Sequence, residues 1–393
     1  MKRTRVLARD SGSPIFRVSV LSLTWIALYA YAGRPLLVAA HAGGLAPAIA
    51  WGALVALSLL PPAALFQGRS AESMRMQSIL QWSGYATMAI FSLLLTLVLA
   101  GDVIRVSYWL ITHSLPEIAS HLPILDIQRF DFAILGAVSS LFLVGLVQAR
   151  RPAVKRVRVA IGGLPQALEG FRIAQLSDIH VSPTIKARFV ETLVRRTNAL
   201  GADAIVITGD LVDGRLDDLR DQVQPLAALS APDGVFYVTG NHEYYWRADE
   251  WTVELERLGL VFLKNDHRLI RRGSSLLAMA GVTDPAGRGA HKPDPDRALR
   301  NAPPDAVKVL LAHRPQAVDD AQRLGVHLQL SGHTHGGQFF PFNLLIRFFQ
   351  PVVSGLHRLG ATWLYVSRGT GYWGPPSRLG VGGEITLIEL HAS

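Results

Sequence analysis

The sequence predicts a helical membrane region of four spans followed by an α/β domain, and two observations lead to this fold class. The 393 residues are 49% hydrophobic and only 18% charged, whereas about a quarter of the residues of an ordinary soluble protein are charged. The charge is also unevenly divided, because residues 1–150 contain 11 basic and 6 acidic residues and the remainder contains 28 and 24. We therefore predict a transmembrane anchor over residues 1–153 and a second domain over residues 154–393.

Four apolar stretches account for the low charge of the first region. Each is close to the ~17–25 residues that cross a hydrocarbon layer as a helix, and the third has no charged residue between Ala86 and Ala100. Helices buried in a soluble core are the alternative, but four such stretches exceed what a soluble domain of this size can hide. The predicted spans are Ile15–Ala32, Leu45–Phe66, Ile79–Ala100 and Phe132–Val147.

Basic residues flank these spans on one side, which predicts their orientation. They lie before or at the start of the first span, between the second and the third, and after the fourth, which places the N-terminus and the C-terminal domain inside the cell. A cleaved signal peptide is the alternative for the first span, and the loop Ser107–Phe130 either lies along the outer interface or is a simple loop. The basic groups are Lys2, Arg3, Arg5, Arg9 and Arg17, then Arg69 and Arg75, then Arg150, Arg151, Lys155, Arg156 and Arg158.

Beyond Lys155, short apolar runs alternate with amphipathic stretches. Phe171–Leu176 is typical of a buried strand, and Ile185–Leu200 has the apolar stripe of a helix that ends at Gly201. This alternation indicates parallel strands with helices on the sheet faces, and the strand-only tail suggests a second, more antiparallel sheet. Further strands are predicted at Ala204–Thr208, Val235–Thr239, Val261–Leu263, Leu276–Ala280, Val307–Ala312, Val326–Leu330, Trp363–Val366 and Glu384–Leu390, and further helices at Leu216–Leu229, Ala248–Leu258 and Pro315–Leu324.

Metal-capable side chains follow five of the predicted strands. Ligands in α/β folds bind at the carboxyl ends of strands, and a set of imidazoles and carboxylates suits zinc, manganese or iron. The absence of cysteine excludes thiolate metal sites, cysteine nucleophiles and disulfides. Two such ions can clamp the attacking and leaving oxygens of a displacement at phosphorus. The segments are Ser177-Asp178-Ile179-His180, Gly209-Asp210-Leu211-Val212-Asp213, Gly240-Asn241-His242-Glu243, Ala312-His313-Arg314-Pro315 and Gly332-His333-Thr334-His335-Gly336-Gly337.

The order of these segments across residues 171–338 resembles the signature of the calcineurin-like metallophosphoesterases. The resemblance implies a double β-sheet sandwich flanked by helices and two divalent metal ions, Mn²⁺, Zn²⁺ or Fe. It also implies that Asp210 bridges the ions and that His242 is the catalytic acid, which protonates the leaving group or holds the phosphate. Asp213 would orient a ligand histidine, and Glu243 would have a structural role. One ion would be held by Asp178, His180 and His335, and the other by Asn241, His313 and His333.

The tail, with Tyr365-Val366-Ser367-Arg368-Gly369 and Pro376 to Arg378, is similar to that of the bacterial membrane-associated branch of this family. That branch includes phosphodiesterases and enzymes like UDP-diacylglucosamine pyrophosphatase. The resemblance implies a multi-pass protein of the bacterial inner membrane whose cytoplasmic domain hydrolyses phosphodiester or pyrophosphate bonds of a lipid-linked or nucleotide-linked substrate.

Other functions are compatible with the same pattern. A membrane sensor could bind a phosphorylated ligand without catalysis, a nuclease or cyclic-nucleotide phosphodiesterase could share the fold, and a transport or scaffold function could lie in the spans. The net charge of +9 does not favour nucleic acid as a partner, because the cations cluster at the ends of the spans.

An apolar insert follows the last metal-capable segment. Residues Phe339–Gly355 are rich in Phe and Leu and have one charge, Arg347. They either pack against the second sheet or form a lip that dips into the bilayer and admits an acyl chain. Arg368 and Arg378 either contact the phosphate of the substrate or pair with surface carboxylates.

Overall fold

The computed structural model describes residues 14–39, 45–66 and 74–393, except for the side chains of residues 14–21, 39 and 66. The first 150 residues are helical wherever they are described, apart from short connections. The helices are α1 (Pro14–Ala32), α2 (Arg34–Ala39), α3 (Ala46–Phe66), α4 (Met74–Ser114), α5 (Pro116–Ala119) and α6 (Ile127–Arg150).

Three helices of the described residues, α3, α4 and α6, are long and apolar enough to cross a membrane. Between 22% and 28% of the residues in their most apolar windows are buried, so most of these side chains face away from the protein, as they do in a membrane span and not in a soluble core. The predicted count of four spans exceeds this number by one. The first predicted span corresponds to α1, part of which lies outside the described side chains. Residues 1–13 and Arg69, on which the predicted orientation partly rests, also lie outside the described residues.

A network of ion pairs joins the helices at the end of the helical region that lies away from Arg150. Asp102 of α4 accepts hydrogen bonds from Arg34 of α2 at 2.8 Å and from Arg105 at 3.0 Å. Arg105 also pairs with Asp131, which is buried near the beginning of α6. The paired charges therefore hold α2, α4 and α6 together at this end.

The predicted loop at Ser107–Phe130 is largely helical in the structure. Helix α4 continues to Ser114 without a break, α5 follows, and α6 begins at Ile127. The apolar side chains Trp109, Ile118 and Ile124 are exposed. Their position at the outer interface stays a prediction.

Two six-stranded sheets pack face to face in the second half of the chain. The first has the strand order β1-β12-β2-β3-β4-β5 and the second β10-β11-β9-β8-β7-β6. The pairs β12–β2, β10–β11 and β6–β7 are antiparallel and the others are parallel. The strands are β1 (Ala153–Ile161), β2 (Arg172–Leu176), β3 (Ala204–Thr208), β4 (Val235–Val238), β5 (Val261–Phe262), β6 (Asp266–Arg272), β7 (Ser275–Gly281), β8 (Val307–Leu311), β9 (Leu328–Ser331), β10 (Gly355–Leu359), β11 (Thr362–Val366) and β12 (Glu384–Ala392).

The core lies between the sheets and beneath helices on both outer faces. Ile173 and Val206 of the first sheet meet Leu277 and Val309 of the second in one buried apolar cluster. Helices α7, α8 and α10 cover the first sheet and α11 and α12 the second. These helices are α7 (Ala187–Asn198), α8 (Leu216–Val223), α10 (Ala248–Arg257), α11 (Pro295–Leu299) and α12 (Val318–Arg323), and two shorter ones are α9 (Asn241–Tyr245) and α13 (Phe342–Leu345).

The structure confirms the predicted fold class of membrane helices followed by a double-sheet α/β domain, and it differs in the tail. Strand β12 joins the first sheet between β1 and β2, while β10 and β11 join the second, so the tail does not form a sheet of its own. Three strands, β1, β6 and β10, were absent from the prediction. All three lie at sheet edges, where one side of a strand faces solvent and polar residues such as Lys155 and Arg268 interrupt the apolar pattern. The predicted domain boundary at residue 153 coincides with the beginning of β1 and stays a prediction.

Candidate metal centre

Eight side chains predicted from the sequence converge where five strands end. The loops after β2, β3 and β4 of the first sheet meet the loops after β8 and β9 of the second. All eight are buried except His333, which is partly buried. They are Asp178 and His180 after β2, Asp210 after β3, Asn241 and His242 after β4, His313 after β8, and His333 and His335 after β9.

Asp210 lies at the middle of this group. Its Oδ2 atom is 3.1 Å from Nε2 of His313 and 3.8 Å from Nε2 of His180. Its Oδ1 atom accepts a hydrogen bond from the backbone N–H of His242 at 2.9 Å, which fixes the carboxylate. Oδ2 is therefore presented to histidines from both sheets at once.

Two pairs of ring nitrogens face each other on either side of Asp210. Nε2 of His180 is 3.0 Å from Nε2 of His335, which is also 3.3 Å from a carboxylate oxygen of Asp178. Nδ1 of His333 is 3.1 Å from Nε2 of His313. Three sets of potential ligand atoms lie within 4.8 Å of one another: Asp178, His180 and His335; His180, Asp210 and His242; and Asp210, His313 and His333.

The donor set fits divalent metal ions. Imidazole nitrogens and carboxylate oxygens are ligands for zinc, manganese and iron. In addition, Oδ1 of Asn241 is buried without a hydrogen-bond partner, and an unpaired buried acceptor is costly unless a ligand satisfies it. The structure thus brings together every residue predicted to hold a metal, and their division between two ions stays a prediction.

The backbone of the site is held in an uncommon conformation. Five of the site residues have left-handed φ angles between 50° and 71°, which non-glycine residues seldom adopt and which cost free energy. Two glycines allow the close approach of the loops, because a methyl group at Gly240 would overlap the Asp210 carboxylate and one at Gly332 would overlap the Asp178 carboxylate. The left-handed residues are Asp178, His180, Asp210, His333 and His335.

The histidines differ in their protonation. Burial lowers the pKa of His180 to about 3 and that of His333 to about 4, so both rings are neutral at pH 7, as metal ligands must be. Burial also opposes the charge of His313, but Asp210 and Asp178 outweigh it and raise the pKa of this ring to about 10. A metal ion that binds His313 therefore has to displace a proton.

Asp213 contacts His242, which is the predicted catalytic acid. The sequence predicted instead that Asp213 would orient a histidine that holds a metal. Its Oδ1 atom is 3.0 Å from Nδ1 of His242 and accepts a hydrogen bond from the indole N–H of Trp246 at 2.8 Å. Burial opposes the charge of His242, but Asp213 in particular outweighs it and raises the pKa of the ring to about 9. The ring is thus protonated at neutral pH, and its Nε2 lies 4.0 Å from Asp210 Oδ2.

Glu243 has the structural role that the sequence predicted. Its carboxylate is buried and accepts hydrogen bonds from four backbone N–H groups, at 2.6 to 3.2 Å. Three of them belong to the loop after β3 and one to the loop after β4. Glu243 therefore clamps together the two loops that carry Asp210 and Asn241. The donors are the N–H groups of Asp210, Leu211, Val212 and Gly240.

Arg378 does not lie at the surface, where one of its two predicted roles placed it, and its contact with a substrate phosphate stays a prediction. Its side chain is fully buried and donates hydrogen bonds to the carbonyl oxygens of Gly371 and Arg368. Its guanidinium also lies 3.0 Å from Nδ1 of His335 and favours the neutral form of that ring, whose pKa burial already lowers. Arg368 is partly exposed, with Nε 3.9 Å from a carboxylate oxygen of Glu384. An isolated arginine in a glycine- and proline-rich tail gave no sequence signal of burial.

Comparison with known proteins gives consistent matches. Residues 171–337 match the family model of the calcineurin-like phosphoesterases. A transmembrane protein with metallophosphoesterase domain from Danio rerio is 37% identical over 258 residues, which cover 63% of this chain and 59% of that protein. Its counterpart from Bos taurus is 38% identical over 268 residues, which cover 64% and 60%.

A bacterial relative is similar over more of its own length. An uncharacterized metallophosphoesterase of Helicobacter pylori is 35% identical over 265 residues, which cover 66% of this chain and 69% of that protein. The chain spans only 59–60% of the length of the two animal relatives.

Proposed function

The chain belongs to the calcineurin-like metallophosphoesterases, and from this premise we propose that it is a membrane-anchored hydrolase that cleaves phosphodiester or pyrophosphate bonds with two divalent metal ions. The observation that carries the proposal is the position of Asp210. Its carboxylate belongs to both the set that contains His180 and the set that contains His313 and His333, as expected of a carboxylate shared by two ions. When bound, such a pair would activate water and neutralise charge that develops on the phosphoryl oxygens.

The residues around the metal centre would donate the proton, orient the donor and hold the ions. His242 carries a proton and points Nε2 toward the Asp210 carboxylate, so it can donate that proton to a leaving oxygen. Asp213 holds the opposite side of the ring and fixes its orientation. Asn241, His313 and His333 would hold one ion, and Asp178, His180 and His335 the other.

The substrate is proposed to be lipid-linked or nucleotide-linked. Two exposed aromatic side chains, Tyr245 and Trp373, lie beside His242 with ring centroids 5.1 and 5.6 Å from its own. Gly374, next to Trp373, approaches Tyr85 of α4, so this rim of the site adjoins the helical region. We propose that the domain lies on the cytoplasmic side of a bacterial inner membrane, because the cations Arg150 and Arg151 lie at the end of α6.

Hydrolysis by the full chain tests this proposal. The detergent-purified, Mn²⁺-loaded protein is offered nucleotide diphosphate lipids, phospholipids, cyclic nucleotides and an aryl phosphodiester, and its metal content is measured by mass spectrometry. We expect two ions per chain, loss of activity with a chelator, and faster turnover of acylated substrates. A protein that hydrolyses none of them, or retains its rate without metal, would contradict the proposed function, and a preference for water-soluble diesters would contradict the lipid substrate.

The pair His242–Asp213 predicts a dependence on the leaving group. Asp213→Asn removes the anion that charges and orients His242, so we expect kcat for a diester with an alkyl leaving group to fall about 100-fold. A nitrophenyl diester should lose less than about 10-fold, because nitrophenolate leaves without a proton. Steady-state kinetics with both substrates measures the difference. Equal losses would mean that His242 holds the phosphate and does not protonate the leaving group.

A further inference from the structure

The segment of residues 339–349, which forms the first part of the apolar insert, exposes an unusual amount of apolar surface. Only Ile346 is buried among its residues, so packing against the second sheet does not account for the segment. Scattered apolar residues are common on protein surfaces, but a contiguous patch of this kind marks an interaction site. The exposed fractions are 40% for Phe342, 60% for Leu344, 47% for Leu345, 84% for Phe348 and 72% for Phe349.

The same segment is attached to the apolar middle of α4. The carbonyl oxygen of Phe340 accepts a hydrogen bond from the hydroxyl of Ser92 at 3.0 Å. The side chain of Phe340 packs against the cluster of Leu93, Leu94 and Val138 that joins α4 to α6. Ser92 lies well inside residues 76–101, a part of α4 with no charged side chain. A segment bonded at this point along a membrane span lies within the apolar layer and not above it.

A second attachment fixes the segment to α6. The side-chain amide of Asn343 donates a hydrogen bond to the carbonyl oxygen of Leu379 at 3.2 Å, and Leu379 packs against the same apolar cluster. The neighbouring N–H of Arg378 donates to the carbonyl oxygen of Gly145 at 3.0 Å. Gly145 precedes the terminal Arg150 by five residues, about 7.5 Å along a helix. The segment is therefore fastened on two sides below the level at which α6 ends in arginine.

A cavity of about 510 Å³ lies behind the segment. Leu344 and Arg347 line it from the segment, and Arg368 and Gly336 line it from the side of the metal centre, where Gly336 directly follows His335. Arg347 has no carboxylate partner among the described residues. The cavity thus offers cations to an anionic group and an apolar wall that continues into the exposed face of the segment.

We propose that residues 342–349 penetrate the bilayer that α3, α4 and α6 span, and that an acylated substrate reaches the metal centre along this face with its anionic head group in the cavity lined by Arg347 and Arg368. The occupant of the exposed apolar face is the lipid bilayer itself, since the face is continuous with the surface of the spans. The penetration of the bilayer is independent of the chemistry at the metal centre, whereas the path of the substrate rests on the proposed function.

Spin labelling measures the penetration directly. The chain has no cysteine, so Phe348→Cys gives a single labelling position in the full protein, which is then placed in nanodiscs of phosphatidylcholine and phosphatidylglycerol. Val253→Cys is the matched control, because Val253 is 69% exposed on α10 at the surface of the α/β domain. We expect the label at position 348 to collide more with oxygen than with a water-soluble nickel complex, and the label at 253 to do the reverse. Equal collision with the nickel complex at both positions would overturn the proposal. Leu344→Cys repeats the measurement if Phe348→Cys does not fold.

Kinetics tests the path of the substrate. The double variant Phe348→Ser, Phe349→Ser is compared with the unaltered chain on the p-nitrophenyl ester of dioleoyl phosphatidic acid in nanodiscs and on soluble bis(p-nitrophenyl) phosphate. We expect KM for the acylated ester to rise about 10-fold or more, because two aromatic side chains that would contact the lipid are lost, and the kinetics of the soluble diester to stay within about 2-fold. Equal changes in the kinetics of both substrates would contradict the proposed path of the acylated substrate. If the unaltered chain hydrolyses neither ester, both the proposed function and the proposed path of the substrate are contradicted. The spin label at position 348 still shows whether the segment penetrates the bilayer.

Discussion

Asp210→Asn should lower kcat/KM for an aryl phosphodiester by at least about 1,000-fold. The substitution removes the negative charge that faces His180 and His313 and that would be shared by two ions. Asparagine keeps an oxygen that can accept the hydrogen bond from the N–H of His242, so the fold should remain. The bound metal, measured by mass spectrometry, should fall below two ions per chain.

The control for this variant is Asp217→Asn. This substitution makes the same chemical change at an exposed position of α8, where Asp217 pairs with Arg215 at 3.5 Å. We expect its hydrolysis rate and metal content to equal those of the unaltered chain. An Asp210→Asn protein that inserts into membranes and hydrolyses the diester at the normal rate would show that the centre is assigned to the wrong residues.

Glu243→Ala should destabilise the α/β domain by roughly 4 kcal/mol. Four backbone N–H groups would lose their buried acceptor at once. For a domain of this size such a loss corresponds to a fall in Tm of about 10 °C. Thermal unfolding of the detergent-purified full chain, followed by intrinsic fluorescence, measures it.

Glu250→Ala is the matched control for the clamp. Glu250 belongs to the nearby helix α10, is exposed and pairs with Arg247 at 2.8 Å, so its removal should change the free energy of unfolding by less than about 0.5 kcal/mol. If Glu243→Ala unfolded at the same temperature as Glu250→Ala, the four hydrogen bonds would not be what joins the loops that carry Asp210 and Asn241.

The sequence predicted best those elements in which a single physical requirement, such as burial, determines the residue types. The buried strands β3 and β8 are short runs of Val, Ile and Leu, and the side chains after them must meet at the strand ends. Edge strand β6 has only Leu269 and Ile270 as apolar residues, because an edge needs no continuous apolar run, and it therefore escaped prediction.

Contacts between segments that are distant in the sequence could not be predicted from a local pattern of residues. That Asp213 binds His242 and Trp246, and not a ligand histidine, depends on how the loop after β3 lies against α9. The burial of Arg378 likewise depends on the packing of the tail against α6. Charged residues are almost always exposed, so the expectation of a surface position followed the general rule and was wrong for this residue.

Arg378 also connects the helical region to the α/β domain. Its backbone is bonded to Gly145 in α6 and its guanidinium lies against His335, so a single residue links a candidate membrane span to the candidate metal centre. A domain on a flexible linker could take many positions relative to the membrane and could reach bonds at many distances from the lipid. Under the proposed function this domain would instead be held at one height, and the distance between the cleaved bond and the membrane surface would select among substrates.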